Sequence, residues 1–258
     1  MVSLAEDLKL ALDRVAFARA LGMEKPDPWQ QALLRSDAPR VLLNIARQLG
    51  KSTTTAVLAL HRALYRPGSL ILILAPAERQ ARETFAKIAA FYKALRHANY
   101  ATPDSDRKLG LELTNGSRIE ALPGTQKTVR GFSGVDLLIV DEAARVEDEL
   151  YFAIRPMLAV SGGSLFMLST PAGKRGVFFE EWANGGPSSW ERYEVRAEEC
   201  PRISPEFLAE ERRTLPSWVY RQEYECSFEE TDDQVFSIDL IDGAVSADVA
   251  PLFGGEAA

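Results

Sequence analysis

One segment, residues 41–55, constrains the fold more than any other part of the chain. It reads VLLNIARQLGKSTTT, an apolar run followed by a short polar turn and then by Gly50-Lys51-Ser52. The apolar run predicts a buried parallel strand, and Lys51 predicts the start of a helix. The backbone N–H groups of such a turn, the positive end of the helix dipole and a lysine together favour a bound polyphosphate. The Ser52 hydroxyl is then in position to ligate Mg²⁺.

This segment departs from the usual phosphate-loop pattern at one position. The pattern Gly-x-x-x-x-Gly-Lys-Ser/Thr requires a glycine five residues before Gly50, where this chain has Ile45. Gly-Lys-Ser also occurs in ordinary turns, so the tripeptide alone does not identify a nucleotide site. The strand before it and the apolar helix after it favour the nucleotide interpretation.

A second strong pattern is the acid pair at the end of residues 136–142, which read DLLIVDE. Four apolar residues predict a central strand that delivers Asp141 and Glu142 to its carboxyl end, where open α/β sheets bind ligands. Asp141 can hold the Mg²⁺ that Ser52 ligates, and Glu142 can polarise an attacking water. The same two residues could instead be an acid pair at a helix N-terminus, with no catalytic role. Because Lys51 lies 90 residues earlier, the joint interpretation is a nucleotide hydrolase.

Other apolar runs complete the predicted sheet. Residues 69–76 and 164–171 predict buried strands, and the second ends in two hydroxyls and a proline, Ser169-Thr170-Pro171. The hydroxyls of Ser169 and Thr170 can contact the γ-phosphate or the attacking water, although Ser-Thr-Pro is also a common strand exit. Residues 111–121 predict a hairpin closed by a type I′ turn at Asn115-Gly116.

The helices are predicted from spacing and from caps. Residues 3–21 predict one amphipathic helix ending before Gly22, and residues 78–95 predict another. Trp29 and Gln30 precede the phosphate-loop strand and can offer adenine a stacking surface and an amide. A tryptophan that only packs its helix onto the sheet is an equal alternative. Two polar helices are predicted over 205–214 and 217–225, separated by Pro216.

Bulk composition sets limits on function. The net charge of −7 over 258 residues argues against a protein that coats nucleic acid by global attraction, but it leaves room for a local basic face. No apolar run is long enough for a membrane span and the N-terminus lacks a signal peptide, so we expect a cytoplasmic protein. Two isolated cysteines predict reduced thiols rather than a disulfide framework or a zinc site.

Several short motifs also occur in a characteristic order. They are Pro28-Trp29-Gln30, the loop at residues 47–52, Leu74-Ala75-Pro76, the Asn-Gly-Ser hairpin, Arg130-Gly131, Val140-Asp141-Glu142-Ala143-Ala144 and Ser169-Thr170-Pro171. As a set, over residues 26–230, they resemble the ATPase domain of the large terminase subunit of tailed bacteriophages. In that family the phosphate loop is often a variant with an early arginine, as Arg47 is here.

The resemblance implies the architecture of the whole chain. The expected fold class is α/β, a RecA-like P-loop NTPase of the ASCE group with a mostly parallel central sheet, flanking helices and a small C-terminal helical lid. Residues 1–200 are expected to form the ATPase core with an N-terminal accessory helix, and residues 201–230 the lid. Residues 231–258 are expected to be a linker toward an absent nuclease domain, so we expect no nuclease activity from this chain.

The resemblance also implies the site residues and their roles. Lys51 and Ser52 resemble the phosphate and Mg²⁺ contacts, Asp141 the metal carboxylate and Glu142 the catalytic glutamate. Arg130 lies twelve residues before Glu142, where some members place an arginine finger for the neighbouring subunit. Arg47, acting within its own chain, is the alternative activating arginine. The implied ATP contacts are Trp29, Gln30, Arg47, Gln48, Leu49, Gly50, Lys51, Ser52 and Thr53. The implied coupling motif is Ser169-Thr170-Pro171.

The implied partners follow from the same family. They are double-stranded DNA, further copies of the chain in a pentameric ring, the portal protein and the small terminase subunit, with no membrane involved. The expected location is the host cytoplasm, at the procapsid vertex during packaging. Two alternatives stay open: a helicase-like nucleic-acid-dependent ATPase with a single motor domain, and a non-catalytic nucleotide switch.

Overall fold

The computed structural model describes residues 3–95, 109–125, 129, 131–186 and 189–230. The described residues include one seven-stranded sheet with the strand order β3-β4-β2-β5-β6-β1-β7. Every neighbouring pair is parallel except β3 and β4. The predicted mostly parallel α/β sheet is therefore confirmed. The strands are β1 (Arg40–Ile45), β2 (Leu70–Ala75), β3 (Gly110–Glu112), β4 (Arg118–Pro123), β5 (Leu137–Asp141), β6 (Ser164–Ser169) and β7 (Glu191–Val195).

Helices cover both faces of this sheet. Alternate residues of β1 enter different apolar clusters, since Val41 and Leu43 face one side and Leu42 the other. Because both faces are covered, every residue of β2 and β5 is buried, which explains their continuous apolar sequences. The helices are α1 (Leu4–Leu12), α2 (Arg14–Ala20), α3 (Pro28–Arg35), α4 (Lys51–Tyr65), α5 (Glu78–Ala94), α6 (Asp148–Ile154), α7 (Gly176–Ala183), α8 (Pro205–Thr214) and α9 (Ser217–Tyr224).

The N-terminal region contains two helices where the sequence predicted one. Asp13 has φ −120° and ψ 97°, which interrupts the helix between α1 and α2. Its carboxylate accepts hydrogen bonds from the backbone N–H groups of Val15 (2.9 Å) and Ala16 (3.1 Å). An aspartate can satisfy the first N–H groups of a new helix in this way, and apolar spacing does not reveal it.

The predicted hairpin between β3 and β4 is present, but the type I′ turn is wrong. A type I′ turn needs positive φ at both central residues. Only Gly116 has a positive φ here, at 83°. The turn closes through Gly116 N donating to Leu113 O at 2.9 Å. The Asn115 amide instead donates to the carbonyls of Ala63 and Leu64, near the end of α4, so the asparagine ties the hairpin to that helix.

The two polar helices predicted near the C-terminus are confirmed as α8 and α9, on either side of Pro216. The chain after α9 lies beside the carboxyl ends of β1 and β7, because Asn44 Nδ2 of β1 donates to Cys226 O at 2.9 Å and Cys226 Sγ donates to Val195 O at 3.1 Å. Within the part of the chain described, no helix has both the length and the apolar character needed to cross a membrane. The predicted linker, residues 231–258, lies outside the described residues.

Candidate nucleotide site

The turn between β1 and α4 curves through two residues with left-handed backbones. These are Gln48, with φ 64°, and Gly50, with φ 91°. Ile45, at the position of the missing first glycine, is a buried strand residue without a positive φ. This loop therefore obtains its curvature further along the turn and has no need of a glycine at position 45.

Lys51 begins α4 and is buried at the carboxyl ends of the strands. Its Nζ lies 2.9 Å from Thr170 Oγ1, 3.5 Å from Ile45 O and 3.9 Å from Glu142 Oε1. Desolvation lowers the pKa of the Lys51 ammonium, and the neighbouring carboxylates of Glu142 and Asp141 partly oppose this shift. A desolvated ammonium of this kind gains strongly from contact with a phosphate anion.

The structure brings the predicted coupling motif to the same lysine. Besides accepting from Lys51, the Thr170 hydroxyl lies 3.2 Å from Ile45 O, to which it can donate. Ser169 Oγ donates to Thr170 O at 2.7 Å, and Pro171 follows as a buried residue. The end of β6 therefore contacts both the strand before the phosphate loop and the lysine after it.

Asp141 is held at the end of β5 by two hydrogen bonds. Its Oδ2 accepts from Thr84 Oγ1 at 2.9 Å, and its Oδ1 accepts from the backbone N–H of Glu142 at 3.0 Å. The sequence analysis did not single out Thr84. The available signal was a polar residue on the apolar face of α5, the helix that follows β2.

Glu142 has a left-handed backbone, with φ 53° and ψ 42°. Non-glycine residues with this conformation are uncommon and cluster at functional sites. The conformation turns the chain sharply after β5, into the short 3₁₀ turn Ala143–Arg145. Arg145 Nη1 pairs with Glu142 Oε2 at 2.8 Å, on the side of the carboxylate opposite Lys51.

Helix α9 reaches this cluster through Glu223. Glu223 Oε2 lies 2.5 Å from Arg47 Nε, and Glu223 Oε1 lies 3.8 Å from Arg145 Nη2. The backbone N–H of Arg47 also donates to Glu223 O at 3.3 Å. Neither Arg145 nor Glu223 was predicted from the sequence. The position of Arg145, three residues after Glu142, was the available signal, whereas Glu223 lies in an ordinary polar helix.

Trp29 and Gln30 lie on α3, beside the phosphate loop. Gln30 Oε1 accepts from Asp27 N at 2.8 Å, and Gln30 Nε2 donates to Thr54 Oγ1 of α4 at 3.0 Å. The amide of Gln30 thus joins the start of α3 to α4. Trp29 packs partly buried against the apolar core, and its Nε1 has no hydrogen-bond partner among the described residues.

Of the remaining predicted residues, four lie in the phosphate loop or the first turn of α4, and Arg130 lies elsewhere in the sequence. Ser52 and Thr53 lie partly exposed in the first turn of α4, Gln48 is exposed, and Leu49 is fully buried. Leu49 O accepts from Arg202 Nη2 at 3.4 Å, which ties the loop to the chain before α8. Arg130, predicted as an arginine finger, lies outside the described residues.

The oxygen donors at this site fit a magnesium ion. Mg²⁺ prefers oxygen ligands and usually keeps several waters, with one or two carboxylates and substrate phosphates completing its shell. The Ser52 hydroxyl in the first turn of α4 and the buried Asp141 carboxylate at the end of β5 are donors of this kind. Each Asp141 oxygen already accepts one hydrogen bond and keeps a further lone pair, so a contact through a bound water is compatible with it.

Comparison with known proteins agrees with this geometry. The chain is 29% identical over 245 residues to the terminase large subunit of Thermus virus P23-45, covering 83% of this chain and 50% of that protein. It is 28% identical over 246 residues to the terminase large subunit of Thermus phage G20c, again covering 50% of it. The chain therefore spans about half the length of these curated relatives.

Solved structures give the same result for the fold. The large terminase ATPase domain of Thermus phage P74-26 matches with a TM-score of 0.71 at 27% identity, covering 82% of this chain and 97% of that one. The RecA-like fold class predicted for this chain is therefore confirmed. The protein-family model described as "Terminase large subunit, T4likevirus-type, N-terminal" matches residues 42–242, which is most of the sequence. The chain belongs to the terminase large subunit family, in its N-terminal part.

Proposed function

We propose that this chain is the ATP-hydrolysing motor domain of a phage terminase large subunit and that it drives double-stranded DNA into a procapsid. The observation that carries the proposal is the convergence of Lys51, Glu142 and Thr170 at the carboxyl ends of three neighbouring strands. An ammonium, an orientable carboxylate and a hydroxyl within this distance can bind a triphosphate and activate a water beside it.

Each residue has a distinct role in the proposed hydrolysis. Lys51 binds the outer phosphates, together with backbone N–H groups of the loop at residues 46–50 and the positive end of α4. Glu142 orients the attacking water and accepts its proton. Ser52 and Asp141 would hold Mg²⁺, which when bound supplies positive charge to the phosphate oxygens. Thr170 senses the presence of the γ-phosphate through its contact with Lys51.

Binding of ATP is coupled to the lid through Arg47 and Glu223. Their ion pair, at 2.5 Å, joins the phosphate loop to α9. The negative phosphates of ATP compete with Glu223 for Arg47, and for Arg145 beside it. We infer that nucleotide binding weakens this contact and so changes the position of the lid, residues 201–230, relative to the core.

The assembly proposed for this motor is a homo-oligomeric, pentameric ring that works with the portal protein and the small terminase subunit. The ring would act on the procapsid vertex in the host cytoplasm. In it, Arg130 would serve the active site of a neighbouring copy, and Trp29 would stack on adenine. An arginine near the γ-phosphate accelerates such reactions by roughly 10³ to 10⁵.

ATPase turnover, measured against protein concentration with and without duplex DNA, tests the proposal. We expect turnover per molecule to rise with concentration, because catalysis is completed between copies, and to rise further with duplex. Mixing Arg130→Ala with Glu142→Gln should restore part of the activity, since a mixed interface is intact wherever an Arg130→Ala copy supplies Glu142 and a Glu142→Gln copy supplies Arg130. Absence of ATP hydrolysis under all these conditions would refute the motor assignment.

A further inference from the structure

A groove lies opposite the nucleotide site, at the edge of the sheet that is formed by the amino ends of the parallel strands. Its floor includes Leu137 and Ser164, the first residues of β5 and β6, whereas the nucleotide site lies where these strands end. Its walls come from the end of α1, the start of α2 and the second half of α4. The groove has a volume of about 510 Å³ and is open to solvent.

Three arginines line this groove, and their charges are only partly neutralised. Arg14 pairs with Asp37 and donates to Ser36 O at 2.8 Å. Arg66 pairs with Asp136 at 3.0 Å. Between them, Arg62 donates only to the backbone carbonyl of Asp136, at 3.4 Å, and within the described ranges no carboxylate lies within ion-pair distance of it.

Among the described residues, Arg62 therefore carries a half-buried charge that forms no direct ion pair with a carboxylate. The pKa of Arg62 is lowered mainly by desolvation, and the positive charges of Arg66 and Arg14 lower it further. The carboxylates of Asp136 and Asp37 partly oppose this shift. The pKa of the neighbouring His61 is lowered to about 4 by burial, so this side chain is uncharged near neutrality. It therefore adds no charge beside Arg62. A guanidinium in this environment gains free energy from a bound anion.

The excess of arginine continues along the same edge of the sheet. Arg40, at the start of β1, donates to Gly163 O at 2.9 Å, beside the groove. Burial and the nearby charge of Arg155 lower the pKa of Arg40. The carboxylates beside these arginines include Asp37, Asp136, Asp7, which accepts from Tyr65 OH, and Glu191, which accepts from Ser36 Oγ. Five arginines against these four carboxylates leave a local excess of positive charge, in a chain whose net charge is −7.

We propose that this groove and the adjoining edge bind the phosphate backbone of duplex DNA. The guanidinium fork matches the geometry of phosphate oxygens, and contacts to the backbone require no particular base sequence. The arginines are distributed over α2, α4, β1 and the turn after α6, so they fit a row of phosphates rather than one small anion. The proposal rests on the DNA-translocating function above and adds the surface through which DNA is held.

The salt dependence of DNA binding tests this surface. The double variant Arg62→Gln/Arg66→Gln removes two of the proposed phosphate contacts and leaves the nucleotide site intact. Fluorescence anisotropy with a 30-base-pair duplex, over a series of KCl concentrations, gives the slope of log K against log[salt]. We expect the magnitude of this slope to fall by about 2 in the double variant, since each phosphate contact contributes about 0.9.

A control at the other edge of the sheet removes one arginine charge, as the single variant Arg66→Gln does. Arg79→Gln changes an exposed arginine near the start of α5, and we expect the wild-type slope from it. Arg66→Gln alone, at a largely exposed position, should lower the slope by about 1 and serves if the double variant fails to fold. An unchanged slope in the folded variants, or a wild-type chain that does not bind duplex at low salt, would overturn the groove assignment. ATP hydrolysis without DNA should persist in every variant, which separates this test from that of the motor function.

Discussion

At the scale of single residues, the site is defined by charges that have more than one possible partner. Glu142 contacts Lys51 on one side and Arg145 on the other, and Glu223 contacts both Arg145 and Arg47. An added triphosphate brings several negative charges to the same cations. The free energy of nucleotide binding therefore includes the exchange of carboxylate partners for phosphate partners.

Removal of Glu223 should tighten nucleotide binding. Glu223→Gln frees Arg47 from its ion pair, so ATP no longer competes with a carboxylate for this arginine. We expect the Kd for ATP to fall by roughly two- to fivefold, which corresponds to about 0.5 to 1 kcal/mol for a partly exposed pair. Equilibrium binding of a fluorescent ATP analogue measures this.

Glu225→Gln is the matched control for that experiment. Glu225, just after α9, pairs with Arg212 of α8, and it has no described ion pair to the phosphate loop. We expect an unchanged Kd for this variant. Weaker ATP binding in Glu223→Gln would mean that Glu223 supports the nucleotide-binding arrangement and does not oppose it.

At the scale of elements, the turn from β1 to α4 depends on neighbours that are distant in sequence. A Cβ added to Gly50 would lie 3.0 Å from Gln30 Nε2, and Gln30 in turn bonds Thr54 of α4. The glycine suits its backbone conformation, φ 91°, and an added Cβ would also press the side-chain amide of Gln30 on α3 to shift by a few tenths of an ångström. The sequence motif indicates the first requirement but not the second.

Gly50→Ala should therefore lower both stability and nucleotide affinity. The left-handed backbone alone costs an alanine roughly 1 to 2 kcal/mol. Gly22→Ala is the matched control, because Gly22 has a similar φ of 96° and no atom within 4 Å of an added Cβ. We expect a similar fall in the free energy of unfolding for both variants and weaker ATP binding only for Gly50→Ala. Equal ATP affinity in the two variants would exclude a role for the contact with Gln30.

The elements were predicted from sequence more accurately than the contacts between them. Continuous apolar runs identified the central strands of the sheet, because burial on both faces leaves a strong pattern. The break at Asp13 and the turn at Asn115 were predicted wrongly, because each depends on the hydrogen bonds of one polar side chain. The spacing of apolar residues does not indicate such hydrogen bonds. Arg145, Glu223 and Thr84 were missed because only the fold brings them beside Glu142, Arg47 and Asp141.

At the scale of the whole molecule, stability should depend on pH through a partly buried histidine. His61 lies on α4 with its Nε2 near Leu10 O (3.2 Å) and Ala11 O (3.1 Å). Burial lowers its pKa from 6.5 to about 4, so the folded protein holds it neutral while the unfolded chain binds a proton below pH 6.5. Its contribution to stability is present above pH 6.5 and is lost as the pH falls toward 4.

The expected size of this effect is at most about 3 kcal/mol, from 1.36 kcal/mol for each unit of pKa difference. Urea denaturation between pH 7 and pH 4 measures it, with His61→Gln as the comparison. We expect the variant to lose less stability than the wild type over this range. Parallel pH dependence in the two proteins would show that carboxylates, and not His61, dominate acid destabilisation.

The central claim is that the loop at residues 46–53 and the acid pair Asp141-Glu142 serve one and the same ATP. Paired measurements of ATP affinity and single-turnover hydrolysis for Lys51→Ala and Glu142→Gln test this most directly. We predict that Lys51→Ala weakens binding and hydrolysis together, whereas Glu142→Gln leaves the Kd for ATP nearly unchanged and lowers turnover by roughly 10² to 10⁴. Near wild-type turnover in Glu142→Gln, with ATP binding intact, would contradict the claim.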